Sequence, residues 1–183
     1  CDSERGRAAL ARLNTIHGRF TIANEDFLYV LSTFVFEPIR FNRRFGWRKM
    51  TAIEQLALFH FWRAVGERMG IRDIPARYED FQRYSVEYEV RHYRFTEANL
   101  AVGAATRELF AGWFSRPLRP LVRQAIYTLL DEPTRRAFGF PKPNAVISAL
   151  VVAAMRARAV ALRYMPRRRE PLQGRALVRR PHG

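Results

Sequence analysis

The sequence predicts an all-α fold, a single domain of about seven or eight helices. Apolar residues recur at helical spacing along nearly the whole chain, and no stretch alternates apolar and polar residues over the length of a useful strand. Proline, glycine and side chains suited to capping helix ends punctuate the helical stretches. With 183 residues, 48% of them hydrophobic and 13% aromatic, the chain can bury one core of ordinary size.

Residues 4–20 place Leu10, Leu13, Ile16, His17 and Phe20 on one face, which predicts a first helix with that face turned inward. Asn24 can cap a second helix, with Glu25 and Asp26 at the positive end of its dipole. Its apolar run covers 27–36, and Pro38 lies just beyond. Thr51, Ala52, Ile53 and Glu54 form a capping box that opens a helix to about Met69, stopped by Gly70. Ile53, Leu56, Leu58, Phe59, Phe61, Trp62 and Val65 make it apolar on most sides, so it is predicted to be the central, buried helix.

Pro75 precedes a helix from about Ala76 to Tyr93, and another is expected over 96–110. Pro117 suits the first turn of the next, to Leu130, and a short helix follows Pro133. After the break at Pro141, Lys142, Pro143 and Asn144 the last long helix runs over 145–164. Its apolar run, 145–155, is shorter than the about 20 residues that a bilayer requires. Arg156, Arg158 and Arg163 follow. The pattern predicts a core helix with a basic end, the alternative being an interfacial helix on a membrane. The folded domain is expected over 1–165, and 166–183 is an Arg- and Pro-rich basic tail expected to be mobile.

The net charge is +15, and Lys49 and Lys142 are the only lysines among 32 basic residues. Because these charges are scattered among acidic residues rather than gathered on one element, no nucleic-acid partner is expected. Cys1 is the only cysteine, which excludes an internal disulfide, a Cys-based zinc site and covalent haem attachment through a C-x-x-C-H motif. The cytoplasm is then the simplest compartment, and peripheral membrane contact goes with the alternative, interfacial reading of the last helix. The N-terminal residues lack a signal pattern and open on a helical repeat already under way, without an initiator Met, so upstream sequence is expected.

His17, His60, His92 and His182 are the histidines, and no two of the first three share a helix at metal-binding spacing. Nucleotide-binding glycine loops and a nucleophile elbow are also missing. A helical, aromatic-rich chain with isolated histidines suits haem b, which needs one axial imidazole and an apolar pocket. By pattern, His17 and His60 are equal candidates for that imidazole, and His92 belongs at a surface. Glu37, Glu87 and Glu89 read as partners for the abundant arginines. Arg40, Arg48 and Arg63 are candidates for pairing with a carboxylate-bearing cofactor.

Several elements occur in a particular order: Asn14 and His17; Asp26, Leu28 and Tyr29; Glu37, Pro38 and Arg40; Trp47, Arg48 and Thr51; then Phe61, Trp62, Gly66 and the run Met69, Gly70, Ile71. This succession of N-x-x-H, D-x-L-Y, E-P-x-R and W-R-x-x-T resembles the MpaB-type oxygenases and their rubber-oxygenase relatives, the latex-clearing proteins. It continues more weakly through Tyr88, Glu89, Thr106 and Arg135 to Ala137 and covers most of the chain. The resemblance implies that 1–165 is the C-terminal part of a helical catalytic domain built around a haem pocket. It implies one non-covalent haem b and the use of dioxygen to cleave a carbon–carbon double bond in an apolar, isoprenoid-like substrate. The histidine of N-x-x-H corresponds to the proximal ligand, which puts the iron on His17, with Asn14 one turn earlier to position it. Phe20, Phe34 and Trp62 are expected to line the pocket. The family's distal residues lie in an earlier helical region that has no counterpart here. Two other classes stand beside this reading: a non-catalytic module of the same fold, and a basic protein that docks on membrane or nucleic acid.

Overall fold

In the computed structural model, residues 3–166 are described. Cys1, His182 and the tail from 167 onward lie outside the described residues. Among the described residues there are eight α-helices, one 3-10 turn and no strand. The helices are α1 (Glu4–His17), α2 (Asn24–Phe45), α3 (Ala52–Arg68) and α4 (Tyr78–His92), followed by α5 (Glu97–Gly112), α6 (Arg119–Leu129), α7 (Glu132–Ala137) and α8 (Ala145–Tyr164). The 3-10 turn, Arg116–Leu118, leads into α6.

The second helix organises the fold. It runs 22 residues without a break and packs on α3, α4 and α8. It does not end before Pro38, as the sequence suggested, but continues to Phe45. An internal proline forfeits a backbone hydrogen bond and costs about 3 kcal/mol in a helix that has nothing else to hold it. Here both halves are held. Leu28, Leu31, Val35 and Phe36 are buried before or beside the proline, and Phe45 is buried beyond it. Arg44 adds a tether by donating to the Thr128 carbonyl at 3.1 Å, at the end of α6. Asn24 does not cap α2; Ala23 takes that position. The Asn24 amide instead clasps the backbone of Arg72, accepting from its N–H at 2.9 Å and donating to its C=O at 3.1 Å.

The capping box of α3 forms as expected: Glu54 N–H donates to Thr51 Oγ1 and Thr51 N–H donates to the Glu54 carboxylate. Gly70 ends the helix region at φ 76°, a conformation that glycine adopts without strain. However, α3 is not the central helix. Only Phe59, Val65 and Gly66 are buried in it, and Ile53 is 80% exposed. A helix that is apolar all round still has one side to give to α2, and no described element covers its outer side.

The core joins Leu28, Leu31, Val35 and Phe36 of α2 to Phe59 of α3, Ile71 and Phe81 of α4. Phe36 meets Phe81 edge-on at 5.6 Å, the favoured arrangement for aromatic pairs. A second packing region joins α5, α6 and α8. There Gly103 lets α5 approach closely, since a Cβ would stand 2.8 Å from the Phe138 ring.

The first helix stops at His17, three residues short of the expected end, because Gly18 follows and the next amides fold back on Ile16 and His17. Leu10, Leu13 and His17 form the half-buried stripe, whereas Phe20 is 64% exposed rather than turned inward. The last helix is not a core helix, since none of its residues is buried. It rests on α6 through a Thr128–Ser148 hydroxyl contact of 2.9 Å. Taken whole, its 20 residues are long and apolar enough to cross a membrane by length and composition, although its unbroken apolar run is shorter.

Phe36 is 1% exposed at the crossing of α2, α3 and α4. Phe36→Ala is expected to lower unfolding free energy by about 3–5 kcal/mol. A urea titration would register this as a lower midpoint with an unchanged slope.

Candidate functional site

His17 stands where three helix ends converge: the last turn of α1, the first turn of α2 and the last turn of α3. Local chemistry brings them there. Asn14 donates to the Arg68 carbonyl at 3.2 Å, using one of the acceptors left free at the end of α3. Asn24 clasps Arg72 just beyond. Two side-chain amides thus fasten α1 and α2 to the same helix terminus, with the His17 ring between them.

The ring faces an apolar cavity of ≈ 370 Å³ whose wall includes Leu13, Phe27, Val30, Phe34, Trp62 and Ile71. Phe34 and Trp62 stack at 4.5 Å, closing one side. His17 and Asp26 are the only ionisable side chains in this wall. A smaller hollow of ≈ 290 Å³ shares the His17, Phe27 and Ile71 walls and adds Asn14, Phe20 and Asn24. Phe20 therefore lines the polar side of His17 and not the apolar cavity. The ring of His17 lies 5.3 Å from that of Phe27, and its Nδ1 is buried without a hydrogen-bond partner.

A buried imidazole nitrogen without a partner is costly, and Nε2, which is not buried in this way, is the ring nitrogen that could meet a ligand entering the cavity. No group of three His, Cys, Asp or Glu residues is close enough to cage a metal ion among the described residues. The donor set fits a metal that brings most of its ligands with it, as haem iron does. His60 is exposed on α3 and lines neither cavity. His92 is also exposed and stacks on Tyr88 at 4.2 Å.

The arginines singled out by sequence lie elsewhere. Arg48 makes a two-pronged pair with Glu54 at 2.6 and 2.7 Å, and Arg63 pairs with Glu67 at 3.2 Å. Arg40 joins Glu37 at 2.6 Å to Glu89 at 2.8 Å. Burial opposes the Arg40 charge, but the bonds to Glu89 and Glu37 outweigh it and raise its pKa. Burial raises that of Glu37 against the pull of Arg40. Glu37 and Arg40 line a larger cavity of ≈ 620 Å³, the polar cavity, which is less apolar than the His17 cavity and has Tyr29, Thr33, Arg44, Tyr93 and Asp131 in its wall.

The resemblance marked Asp26, Tyr29 and Tyr88 but assigned them no role in the site, yet with Tyr93 they connect the two cavities. Tyr88 donates a short hydrogen bond to Asp26 in the His17 wall. Its ring stacks on Tyr29, whose hydroxyl shares a short hydrogen bond with Tyr93. Burial raises the pKa of Tyr88, and the bond to Asp26 raises it further. Burial and the bond to Tyr93 do the same for Tyr29. One signal was available: Phe81, Ser85 and Tyr88 are the buried residues of α4, spaced at i, i+4 and i+7.

Residues 2–162 match the family profile described as ER-bound oxygenase mpaB/B'/Rubber oxygenase, catalytic domain. The chain is 24% identical over 179 residues to a protein named ER-bound oxygenase mpaB' from Penicillium brevicompactum, covering 89% of this chain and 42% of that protein. It is 29% identical over 106 residues to ER-bound oxygenase mpaB from Penicillium roqueforti, covering 49% of this chain and 36% of the relative. The chain thus spans less than half the length of these relatives. No solved structure matches the chain significantly.

Asn14→Ala removes the side-chain bond from α1 to the Arg68 carbonyl, a contact worth about 1 kcal/mol. The α1 amides should exchange with solvent about fivefold faster, and those of α2 and α4 should be unchanged. Hydrogen exchange read residue by residue checks both.

Proposed function

The chain belongs to the mpaB/rubber oxygenase catalytic-domain family, and from that premise we propose that it is part of a haem b oxygenase acting on an apolar, isoprenoid-like substrate. The observation that carries the reading is the half-buried His17 imidazole in the wall of an apolar cavity. His17 would hold the iron, and bound haem would supply the activation of dioxygen for cleavage of a carbon–carbon double bond.

The chain's own residues account for the rest. Asn14 fixes the helix end that carries His17. Phe34, Trp62, Val30 and Ile71 exclude water and offer an apolar chain a surface that matches it. Asp26 is held by Tyr88 and is the one carboxylate in the wall, so beside His17 it is a group able to accept a proton there. The imidazole of His17 and the apolar wall come from different helices, so their arrangement depends on the docking of α1 as much as on local sequence.

The purified protein loaded with haem should show a Soret band, and His17→Ala should lose it or shift it strongly. His60→Ala should leave it unchanged. A wild-type protein that folds and stays colourless after haem loading would favour the non-catalytic reading of the same fold.

Membrane association is a second part of the proposal. Both relatives are named ER-bound, and α8 has the pattern of an interfacial helix. At 100° per residue Val146, Leu150, Val160 and Tyr164 fall on one exposed stripe, flanked by Arg156, Arg158 and Arg163. Such a helix can lie at the headgroup boundary with its arginines toward anionic lipid. Binding to phosphatidylcholine vesicles containing phosphatidylserine should weaken with added salt. Replacing the three arginines by Gln should cost about 1 kcal/mol each, read by vesicle sedimentation. Binding that ignores both changes would remove this part of the proposal.

A further inference from the structure

Asp26 and Tyr29 leave α2 one turn apart, and α4 lays Tyr88 against both. The Tyr88 hydroxyl is hydrogen-bonded to Asp26 Oδ1. Its ring is stacked on Tyr29, with centroids 4.2 Å apart and planes 9° from parallel. The Tyr29 hydroxyl meets that of Tyr93, whose ring stands edge-on at 6.1 Å. Asp26 is in the wall of the His17 cavity, and Tyr93 is in the wall of the polar cavity. A continuous line of hydrogen-bonded and stacked groups therefore joins the two.

A phenol loses an electron far more readily when its proton has somewhere to go. Tyr88 is buried and has a carboxylate in hydrogen-bond contact. The stack on Tyr29 places a second oxidisable ring beside the Tyr88 ring, with centroids 4.2 Å apart. Tyr93 is half-buried and gives the line an end within reach of solvent.

We propose that Tyr88 is a redox-active tyrosine that passes oxidising equivalents from the His17 cavity through Tyr29 to Tyr93. In the first step the oxidant accepts one electron from Tyr88. The Tyr88 O–H bond breaks, its proton forms a new O–H bond on Asp26, and a neutral phenoxyl radical remains. In the second step Tyr29 passes an electron to Tyr88, which regains its proton from Asp26, and the Tyr29 hydroxyl proton moves to the Tyr93 oxygen as Tyr93 yields its own to solvent. The Tyr29 radical then takes an electron from Tyr93 together with the Tyr93 hydroxyl proton across their hydrogen bond, so Tyr29 is restored as a neutral phenol and a neutral phenoxyl radical is left on Tyr93 at the rim of the larger cavity. The natural oxidant would be a one-electron-oxidising iron centre, and only for that source does the proposal rest on the oxygenase reading.

The test supplies its own oxidant, so a protein that fails to bind haem and a relay that fails to conduct are separate results. A ruthenium polypyridyl photosensitiser is attached at Ile22→Cys, in the wall of the His17 cavity, in a Cys1→Ser background. Tyr88 is replaced by 3-fluorotyrosine, which keeps its shape, and the protein is flashed with a sacrificial electron acceptor present. A phenoxyl radical whose paramagnetic resonance lines are split by fluorine is expected. In Asp26→Asn its formation should slow by about a hundredfold, the low end of what a positioned base contributes. With the fluorine label moved to Tyr93, the splitting should follow at later times and vanish in Tyr29→Leu. An indole radical from Trp62, a phenoxyl signal without fluorine splitting, no radical, or an unchanged rate in Asp26→Asn would each overturn the proposal.

Discussion

The rest of the structure depends on α2 staying helical through Pro38. A helix of 22 residues is about 33 Å long at 1.5 Å per residue, enough to reach from one cavity to the other. Its first half carries Asp26, Phe27, Val30 and Phe34 into the His17 wall, and its second half carries Arg40 and Arg44 into the polar one. If the chain broke at the proline, these two sets would lose their fixed separation and α4 could not contact both. The hydroxyls of Ser32 and Thr33 bond back to the carbonyls of Tyr29 and Val30 in the turn before the proline. Such back-bonds bend helices slightly, and they keep polar groups satisfied where the ladder is about to lose a donor. Burial on both sides then holds the helix together.

Charge follows a related logic. The chain carries far more arginine than acid, yet its partly buried carboxylates sit in pairs or networks. Glu37 and Glu89 share Arg40, while Glu132 is shared by Arg135 and Arg136. Arg135 is buried and also donates to the Phe140 carbonyl at 2.8 Å, so it stitches the turn after α7 as well as balancing charge. Exposed pairs such as Arg48–Glu54 contribute little by Coulomb attraction in water, and their value lies in holding the start of α3. The second half of α8 carries Arg156, Arg158 and Arg163 and no acidic residue.

Local signals were legible in the sequence and long-range ones were not. The capping box at Thr51, the stop at Gly70 and the helix ends near residues 97, 145 and 164 could be read, because each depends on residues within one turn. Phe34 and Trp62 were named together and do meet in the cavity wall. What failed depended on partners far along the chain. Whether Pro38 breaks a helix is decided by packing with α3, α4 and α8 and by the Arg44 bond to the end of α6. The amount of apolar surface on α3 says nothing about how much of it is covered. Phe20 has helical spacing from His17, but Gly18 ends the helix between them. The Asp26–Tyr88 contact spans 62 residues, and nothing local marks it.

That contact also explains how an acid is tolerated in an otherwise apolar wall. Asp26 lies in the first turn of α2, where the free backbone N–H groups favour negative charge. Tyr88 supplies a strong hydrogen-bond donor from the opposite side. Together they give the Asp26 side chain hydrogen-bonding and dipole partners next to Phe27 and Val30 without an arginine, despite the abundance of arginine elsewhere. A cationic partner would have closed that part of the cavity with a long side chain and pinned the carboxylate in an ion pair. A tyrosine leaves the space open and the carboxylate available to accept a proton. His17 on one wall and Asp26 on another then give the cavity two polar atoms with different chemistry, separated by a surface suited only to apolar molecules.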